Sequence, residues 1–294
     1  MPWQQINVSI RSEHLATIEK IVMEHGALSI TCLDAADQPV FQKKPGSTPL
    51  WDNTILSCLF PADTNLQSLL WLLRAQPIID NDTSLEIQLI EDKDWERSWM
   101  ANFKAMAFGK TLWICPSRQE PPDPNAVNVM LDPGLAFGSG THATTALCLR
   151  WLEQADLMGK HIIDYGCGSG VLAIAASLLG AATIHGVDND PQAIIATIDN
   201  SQRNQISDAR LTTFLPQELP AMEADILLAN ILAEPLIDLA AKFSTLVKAG
   251  GQIVLSGILE NQIDQVLTAY TPQFVMGEPS LEGDWVRLNG TRLY

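Results

Sequence analysis

The chain has 294 residues, of which 47% are hydrophobic and 18% charged, so a disordered protein is excluded and two domains with a sizeable core are expected. The formal net charge of −16 argues against tight non-specific binding to nucleic acid, whose phosphates would be repelled; it suits a basic partner or simple solubility. The N-terminus lacks a basic, apolar leader, and the five cysteines form no CxxC pair and no zinc spacing. These features predict free thiols, a cytoplasmic protein and no metal site.

The first 92 residues predict a ferredoxin-like α+β domain. Residues 4–10 alternate as a half-buried strand, and Ser12 is a suitable N-cap for the helix that follows. The order βαββαβ is then completed by strands over 27–35, 53–60 and 84–92 and by a helix over 64–76 with Thr64 or Asn65 as its cap. Domain 1–92 has no glycine-rich loop and no cluster of potential ligands, so its expected role is binding, with a purely structural appendage as the alternative.

Residues 93–109 predict a linker helix, because Trp95, Trp99 and Phe103 recur on one helical face. A second domain, 110–294, begins with two strands joined by a proline-rich turn over 110–134. Alternating strands and helices follow, which predict a Rossmann-like, doubly wound α/β fold with a seven-stranded mixed sheet. The strands are expected at 161–165, 183–188, 211–215, 224–230, 252–256, 274–280 and 284–294, and the helices at 171–179, 191–205, 235–248 and 261–270.

An uncharged run, residues 165–187, is long enough to span a membrane. It contains five glycines, however, and a buried strand–helix–strand unit explains it better. We therefore expect no membrane association.

The glycine loop Gly166-x-Gly168-x-Gly170 follows the first strand of this domain. Glycines there let the backbone approach a ligand closely. A dinucleotide fingerprint would carry its third glycine at position 171, where this chain has valine. Asp164, two residues before the loop, would repel pyrophosphate but suit a cofactor with a positive amino group and sulfonium. The pattern favours S-adenosylmethionine.

The next strand ends in Asp188, where a carboxylate can accept hydrogen bonds from both ribose hydroxyls. Asp190 is expected to cap the following helix, and Cys167 to fill space within the loop without acting as a nucleophile. Upstream, residues 131–145 form a second glycine-rich loop that leads into a helix, which could surround a carboxylate or an adenosine edge. His142 has no partner in sequence and is expected to be structural.

The combination of "DPGLAFGSGTHATT", "IIDYGCGSG", "GVDNDPQAI" and "DILLANILAEPL", in this order behind a ferredoxin-like domain, resembles the PrmA family of bacterial methyltransferases. That family acts on large-subunit ribosomal protein L-eleven (L11). The resemblance covers essentially the whole chain, including the "DW" pairs at 94–95 and 284–285. One departure is Ser139, where the family usually has threonine; the hydroxyl is kept.

The resemblance implies that residues from both loops and two strand ends bind S-adenosylmethionine. Contacts are expected from Thr145, Gly166, Asp188 and Asn230, and the same pocket would be lined by Phe137, Gly138, Thr141 and Gly168. The family methylates the N-terminal α-amine and lysine ε-amines of its basic protein substrate, and its N-terminal domain recognises that substrate. No nucleic-acid partner is expected, and nothing in the sequence demands more than a monomer.

Asn230 is the expected catalytic residue, because its amide oxygen could aim the incoming amine. The alternative is that Asn230 only caps the next helix. Amino-directed nucleic-acid methyltransferases place an aromatic residue shortly after this asparagine, whereas this chain has Ile231, Leu232 and Ala233, which favours an alkyl amine over a flipped base. A methyltransferase for RNA or a small-molecule amine, and a non-catalytic binding module, remain as alternatives.

Overall fold

The computed structural model describes residues 3–35, 51–79, 85–90, 104–132 and 142–294. The chain divides into two compact units, Met1–Trp95 and Glu96–Tyr294. Within the described ranges, no helix has the length and apolar character needed to cross a bilayer.

The N-terminal unit is a four-stranded antiparallel sheet with two helices, as the sequence predicts. Its elements are β1 Trp3–Arg11, α1 Leu15–Glu24, β2 Ser29–Asp34, β3 Asn53–Pro61, α2 Gln67–Arg74 and β4 Ile87–Ile90. The strand order β2-β3-β1-β4 is that of the ferredoxin-like arrangement. Alternate residues of β1 and β3 are buried under the helices, so the strand period of two decides which face forms the core.

Neither helix of this unit is capped by the residue that the sequence predicts. Ser12 is not an N-cap: it begins a short 3-10 turn, its N–H donates to the Asp52 carbonyl at 3.0 Å, and α1 starts three residues later at Leu15. Asn65 and Thr64 are not the N-cap of α2 either: that position is Leu66, which makes no side-chain cap, although the Asn65 Oδ1 just before it accepts the Gln67 N–H at 3.1 Å.

The C-terminal unit begins with a three-stranded sheet of β5 Met106–Phe108, β6 Leu112–Cys115 and β7 Val127–Met130. The predicted helix over 93–109 is therefore wrong at its C-terminal end, where Met106–Phe108 pairs with β6 as an antiparallel strand and buries Phe108. Most of that segment, 93–103, lies outside the described residues. The two strands predicted over 110–134 are confirmed, but they run parallel, so the proline-rich segment between them is a crossover and not a tight turn.

The main sheet is doubly wound, as predicted. Its strands are β8 His161–Tyr165, β9 Thr183–Val187, β10 Leu211–Phe214, β11 Ala224–Asn230, β12 Val247–Leu259, β13 Phe274–Met276, β14 Ser280–Glu282 and β15 Trp285–Arg292. Its helices are α3 Ala143–Gln154, α4 Val171–Leu178, α5 Pro191–Arg203, α6 Ala233–Leu246 and α7 Ile263–Tyr270. Seven strands follow the order β10-β9-β8-β11-β12-β15-β13, and β14 adds a short eighth strand because Ser280–Glu282 folds back on β15.

Two apolar cores cover the two faces of this sheet. Buried side chains of α3 and α4 pack on one face, and those of α6 and α7 pack on the other. Strands β8 and β11 are buried on both faces, which explains why they read as continuous apolar runs. The first five strands of the order run parallel, so their carboxyl ends meet at one edge.

All five cysteines of the chain are free thiols. Cys58, Cys115, Cys148 and Cys167 are buried, while Cys32 on β2 is half-buried.

Candidate cofactor site

The glycine loop turns over the end of β9. The N–H groups of Gly166 and Cys167 both donate to the Val187 carbonyl, at 2.6 and 3.1 Å. Gly166 has φ +83° and Gly168 has φ +56°, conformations that side chains rarely adopt. The sequence therefore needs glycine here both for the turn and for close approach of the chain.

Helix α5 holds the loop from behind. The Thr197 hydroxyl donates to the Gly168 carbonyl at 3.0 Å, and the Asn200 amide donates to the Ser169 carbonyl at 2.8 Å. Both side chains are buried, so their hydrogen bonds are protected from water. The loop is thereby a rigid platform.

The Asp188 side chain contacts the glycine loop. Its Oδ2 accepts the Gly168 N–H at 2.9 Å, and its Oδ1 accepts the Asp190 N–H at 3.0 Å. Asp190 caps α5 through the Gln192 N–H at 2.9 Å, as predicted. The carboxylate of Asp188 is thus fixed in orientation and half-exposed, with lone pairs left for a ligand.

Asp164 lies beneath the loop and is 1% exposed. Its Oδ2 accepts the Ala173 N–H from the first turn of α4, while its Oδ1 has no hydrogen-bond partner among the described residues. Burial raises the pKa of this carboxyl to about 7; the Ala173 hydrogen bond opposes the rise, and nearby Asp188 adds to it.

Asn230, at the end of β11, contacts Thr145 on α3. The Asn230 Nδ2 donates to the Thr145 Oγ1 at 3.2 Å, which leaves Oδ1 without a hydrogen-bond donor in the described part of the chain. The alternative that Asn230 caps the next helix is wrong, since α6 begins at Ala233 after Leu232 and has no side-chain cap. Thr145 is 1% exposed, so the pair is fixed by packing as well as by the hydrogen bond.

A cavity of ≈ 630 Å³ opens at the carboxyl ends of the parallel strands. The structure brings five predicted residues together in its wall: Thr145, Gly166, Gly168, Asp188 and Asn230. Asp164 is not part of the lining. Phe137, Gly138 and Thr141, also predicted to line the site, lie outside the described residues.

Sequence reasoning missed two aromatic members of this cavity, Tyr165 and Trp285. Trp285, at the start of β15, packs edge-on against His142 with ring centroids 4.8 Å apart. His142 is the N-cap of α3, since its Nδ1 accepts the Thr144 N–H at 3.4 Å, and burial lowers its pKa. The absence of an aromatic residue after Asn230 therefore does not leave the cavity without a flat aromatic surface, because β15 supplies Trp285.

A second cavity of ≈ 580 Å³ lies at the opposite edge of the sheet, where β8 and β11 begin. It holds an ion pair between Lys248 and Asp225, at 2.8 Å, and none of the predicted residues. We assign function to the carboxyl edge, because ligands of doubly wound sheets bind there. In the parts of the chain that the structure describes, no cluster of three or more histidine, cysteine or acidic residues could hold a metal ion.

The residues at the carboxyl edge fit S-adenosylmethionine better than a dinucleotide. The amides of Gly166 and Cys167 are used by Val187, and that of Gly168 by Asp188, so the loop does not offer them to a phosphate. The half-exposed carboxylate of Asp188 suits ribose hydroxyls, and the incompletely paired carboxyl of Asp164 suits a cofactor with positive charge and not a pyrophosphate. The fold and the site together define a methyltransferase that depends on S-adenosylmethionine.

Comparison with known proteins gives the particular family. The family model described as "Ribosomal protein L11 methyltransferase (PrmA)" matches residues 2–293. Proteins named ribosomal protein L11 methyltransferase from Marinobacter nauticus and Shewanella amazonensis are each 50% identical, with 99% of this chain and 99% of theirs covered. A crystal structure of a ribosomal protein L11 methylase from Lactobacillus delbrueckii subsp. bulgaricus is 31% identical with a TM-score of 0.60, covering 65% of this chain and all of the other. The chain belongs to the ribosomal protein L11 methyltransferase family.

Proposed function

We propose that this enzyme transfers methyl groups from S-adenosylmethionine to amines of ribosomal protein L11, namely the N-terminal α-amine and lysine ε-amines, in the cytoplasm. Membership of the family supports the substrate. The placement of the Asn230 amide in the wall of the cofactor cavity is the observation that carries the chemistry.

We assign the cofactor to residues around the glycine loop. The Asp188 carboxylate is placed to accept hydrogen bonds from the ribose hydroxyls. Gly166 and Gly168 allow the main chain to lie against the cofactor. Asp164, below the loop, would offset the positive charge of the cofactor's amino end through its field. Thr145 lines the same wall and holds Asn230. When bound, S-adenosylmethionine supplies a methyl group already activated by its sulfonium.

Asn230 is positioned to aim the acceptor amine. Its Nδ2 is engaged by Thr145, so its Oδ1 is available to accept a hydrogen bond from an amine N–H. Holding the nitrogen in line with the methyl group is the main contribution the protein has to make, because orientation replaces a bimolecular encounter.

The acceptor must be neutral, since an ammonium has no lone pair. An α-amine with a pKa near ~8 and a lysine near ~10.4 are both shifted downward by burial and by a nearby positive charge. Asn230 cannot take up a proton, and the Nδ1 of His142 lies 2.8 Å from the Thr144 hydroxyl. We infer that the amine loses its proton to water.

The N-terminal unit is assigned to substrate recognition. It is compact in itself, and every described residue of the cofactor cavity belongs to the C-terminal unit. Residues 1–92 can therefore serve substrate recognition without contributing to the cofactor site. That the protein is a monomer stays a prediction.

A radiolabelled methyl donor mixed with total ribosomal components from cells lacking this enzyme tests the proposal. One labelled protein of the size of L11 is the expected result. Labelled RNA would instead favour the second candidate, an RNA methyltransferase, for which Trp285 offers a stacking surface in the cavity. Absence of any incorporation would contradict both.

A further inference from the structure

Strand β12 carries a bulge at Gly257, one residue beyond its last pairing with β11. In the ladder with β15, Ser256 faces Arg287 and Ile258 faces Val286, so Gly257 is the extra residue. On its other side, Ser256 is the last residue of β12 to pair with β11, opposite Asn230. The bulge therefore lies beside the point where the chain leaves β11 for the cavity.

Gly257 makes room for the main chain of Ile231. A Cβ built on Gly257 would overlap the Ile231 carbonyl oxygen and stand 2.7 Å from the carbonyl carbon, whereas real Cβ atoms essentially never approach within 3.0 Å. Gly257 also has φ +87°, in the left-handed region. No other residue type combines this φ with this contact.

The side chain of Ile231 is confined from the opposite direction. A Cβ at Gly166 would overlap the Ile231 Cγ2. Ile231 is thus enclosed between two residues without side chains, one in the cofactor loop after β8 and one in the β12 bulge. The position of Ile231 is therefore constrained from two sides, as is expected where the neighbouring Asn230 has to be held in place.

We propose that Gly257 is a positioning residue for methyl transfer, which sets the place of the Asn230 amide by admitting the Ile231 main chain. This inference rests on the proposed function. Gly257 is not part of the described cavity lining, whereas Ile231 and Asn230 both are, so Gly257 acts through its neighbour. Bulges beside active sites commonly re-aim an adjacent residue.

Substitution of Gly257 should therefore reduce turnover more than cofactor affinity. In Gly257→Ala the added Cβ has to push residues 230–231, and a misplacement on the order of 1 Å costs about 100-fold in rate. Gly257→Asn carries the same Cβ but tolerates a left-handed φ better, so it separates overlap from backbone strain. We expect kcat to fall about 100-fold in both variants, with the affinity for S-adenosylhomocysteine close to that of the wild type.

Gly159→Ala is the matched control. Gly159 has φ +72°, and a Cβ built there meets nothing within 4 Å. It precedes β8, at the opposite edge of the sheet from the cavity. This variant carries the strain without the overlap, so its kcat should match that of the wild type.

The full-length enzymes are compared by steady-state kinetics with purified L11, by calorimetry with S-adenosylhomocysteine, and by crystallography of residues 229–232. Reduced kcat with retained binding and a displaced Ile231 main chain supports the proposal. Full turnover in either Gly257 variant, or loss of S-adenosylhomocysteine binding in both, overturns it, because Gly257 would then be dispensable or needed only for folding. An inactive wild type would contradict the proposed function and not the positioning role, which the displaced main chain tests separately.

Discussion

The Nδ2 of Asn230 donates a 3.2 Å hydrogen bond to the Oγ1 of Thr145, which lies 85 residues earlier in the chain. This contact joins the end of β11 to the first turn of α3 in the wall of the cavity. It occupies the Nδ2 of Asn230, so the amide oxygen is the polar atom of this side chain that remains available for a hydrogen bond.

We predict that Asn230→Ala lowers kcat for L11 about 100-fold, because the acceptor nitrogen is no longer held in line. Thr145→Val should lower kcat about 5-fold, because a missing hydrogen bond worth about 1 kcal/mol lets the amide rotate. Steady-state kinetics at saturating cofactor provide the measurement.

Thr268→Val is the control for Thr145→Val. The Thr268 hydroxyl donates to the Asp264 carbonyl within α7, away from the cavity lining. Turnover should be unchanged. An Asn230→Ala enzyme with wild-type kcat would remove the aiming role.

Asp188 and Asp190 offer a contrast between two neighbouring carboxylates. Asp188→Ala should weaken cofactor binding by roughly 10- to 100-fold, since hydrogen bonds to a charged group contribute about 1.5–3 kcal/mol. Asp190→Ala removes the α5 cap and should cost about 1 kcal/mol of unfolding free energy with little change in affinity. Calorimetry measures the cofactor affinity of both variants, and urea unfolding measures their stability. Equal losses of affinity would show that Asp188 has no specific role in binding the cofactor.

The buried carboxyl of Asp164 should make the free energy of unfolding depend on pH. Burial raises its pKa to about 7, whereas an unfolded carboxyl titrates near ~3.9. Between these values the folded chain holds a proton that the unfolded chain has released, so the free energy of unfolding falls as the pH rises through this window. Asp164→Asn should lessen that fall, as urea unfolding at pH 5 and pH 8 would reveal.

The same carboxyl should couple the pH to cofactor binding. A cationic cofactor favours the ionised form of Asp164, so binding should release a proton and strengthen from pH 6 to pH 8. Calorimetry in two buffers of different ionisation enthalpy measures the released proton. Asp190→Asn is the control and should release the same proton as the wild type. If Asp164→Asn also releases that proton on cofactor binding, another group is responsible.

Much of the cofactor site is local in sequence, which explains why it could be predicted. Gly166 and Gly168 follow a strand directly, Asp188 ends the next strand, and Asp190 precedes Pro191 at the start of α5. The physical rules for turns, caps and strand ends act over a few residues, so spacing alone reveals these positions.

Relationships between distant segments could not be read in this way. Trp285 enters the cavity only because β15 pairs with β12, and the Met106–Phe108 strand forms only because β6 is available to it. Neither strand pairing can be predicted from the hydrophobic pattern of the residues around it. Ser12 is likewise held by a distant residue, because its N–H donates to the Asp52 carbonyl 40 residues away; it begins a 3-10 turn, and α1 starts only at Leu15.

Removal of residues 1–92 should spare cofactor binding and abolish methylation of L11. The described cavity lining lies entirely beyond residue 141, whereas the N-terminal unit has its own core. Calorimetry with S-adenosylhomocysteine and a methylation assay on the truncated and full-length enzymes test this. A truncated enzyme that methylates L11 at the full rate would contradict the recognition role.

The unequal burial of the five thiols has a practical consequence. Burial raises the pKa of the Cys58 and Cys148 thiols to about 12, and Cys115 is buried as well, whereas Cys167 lies in the wall of the cavity and Cys32 on β2 is half-buried. A maleimide dye should therefore attach first to Cys32, in the N-terminal unit. Fluorescence from a label there would test whether L11 docks on the N-terminal unit, without any engineered cysteine.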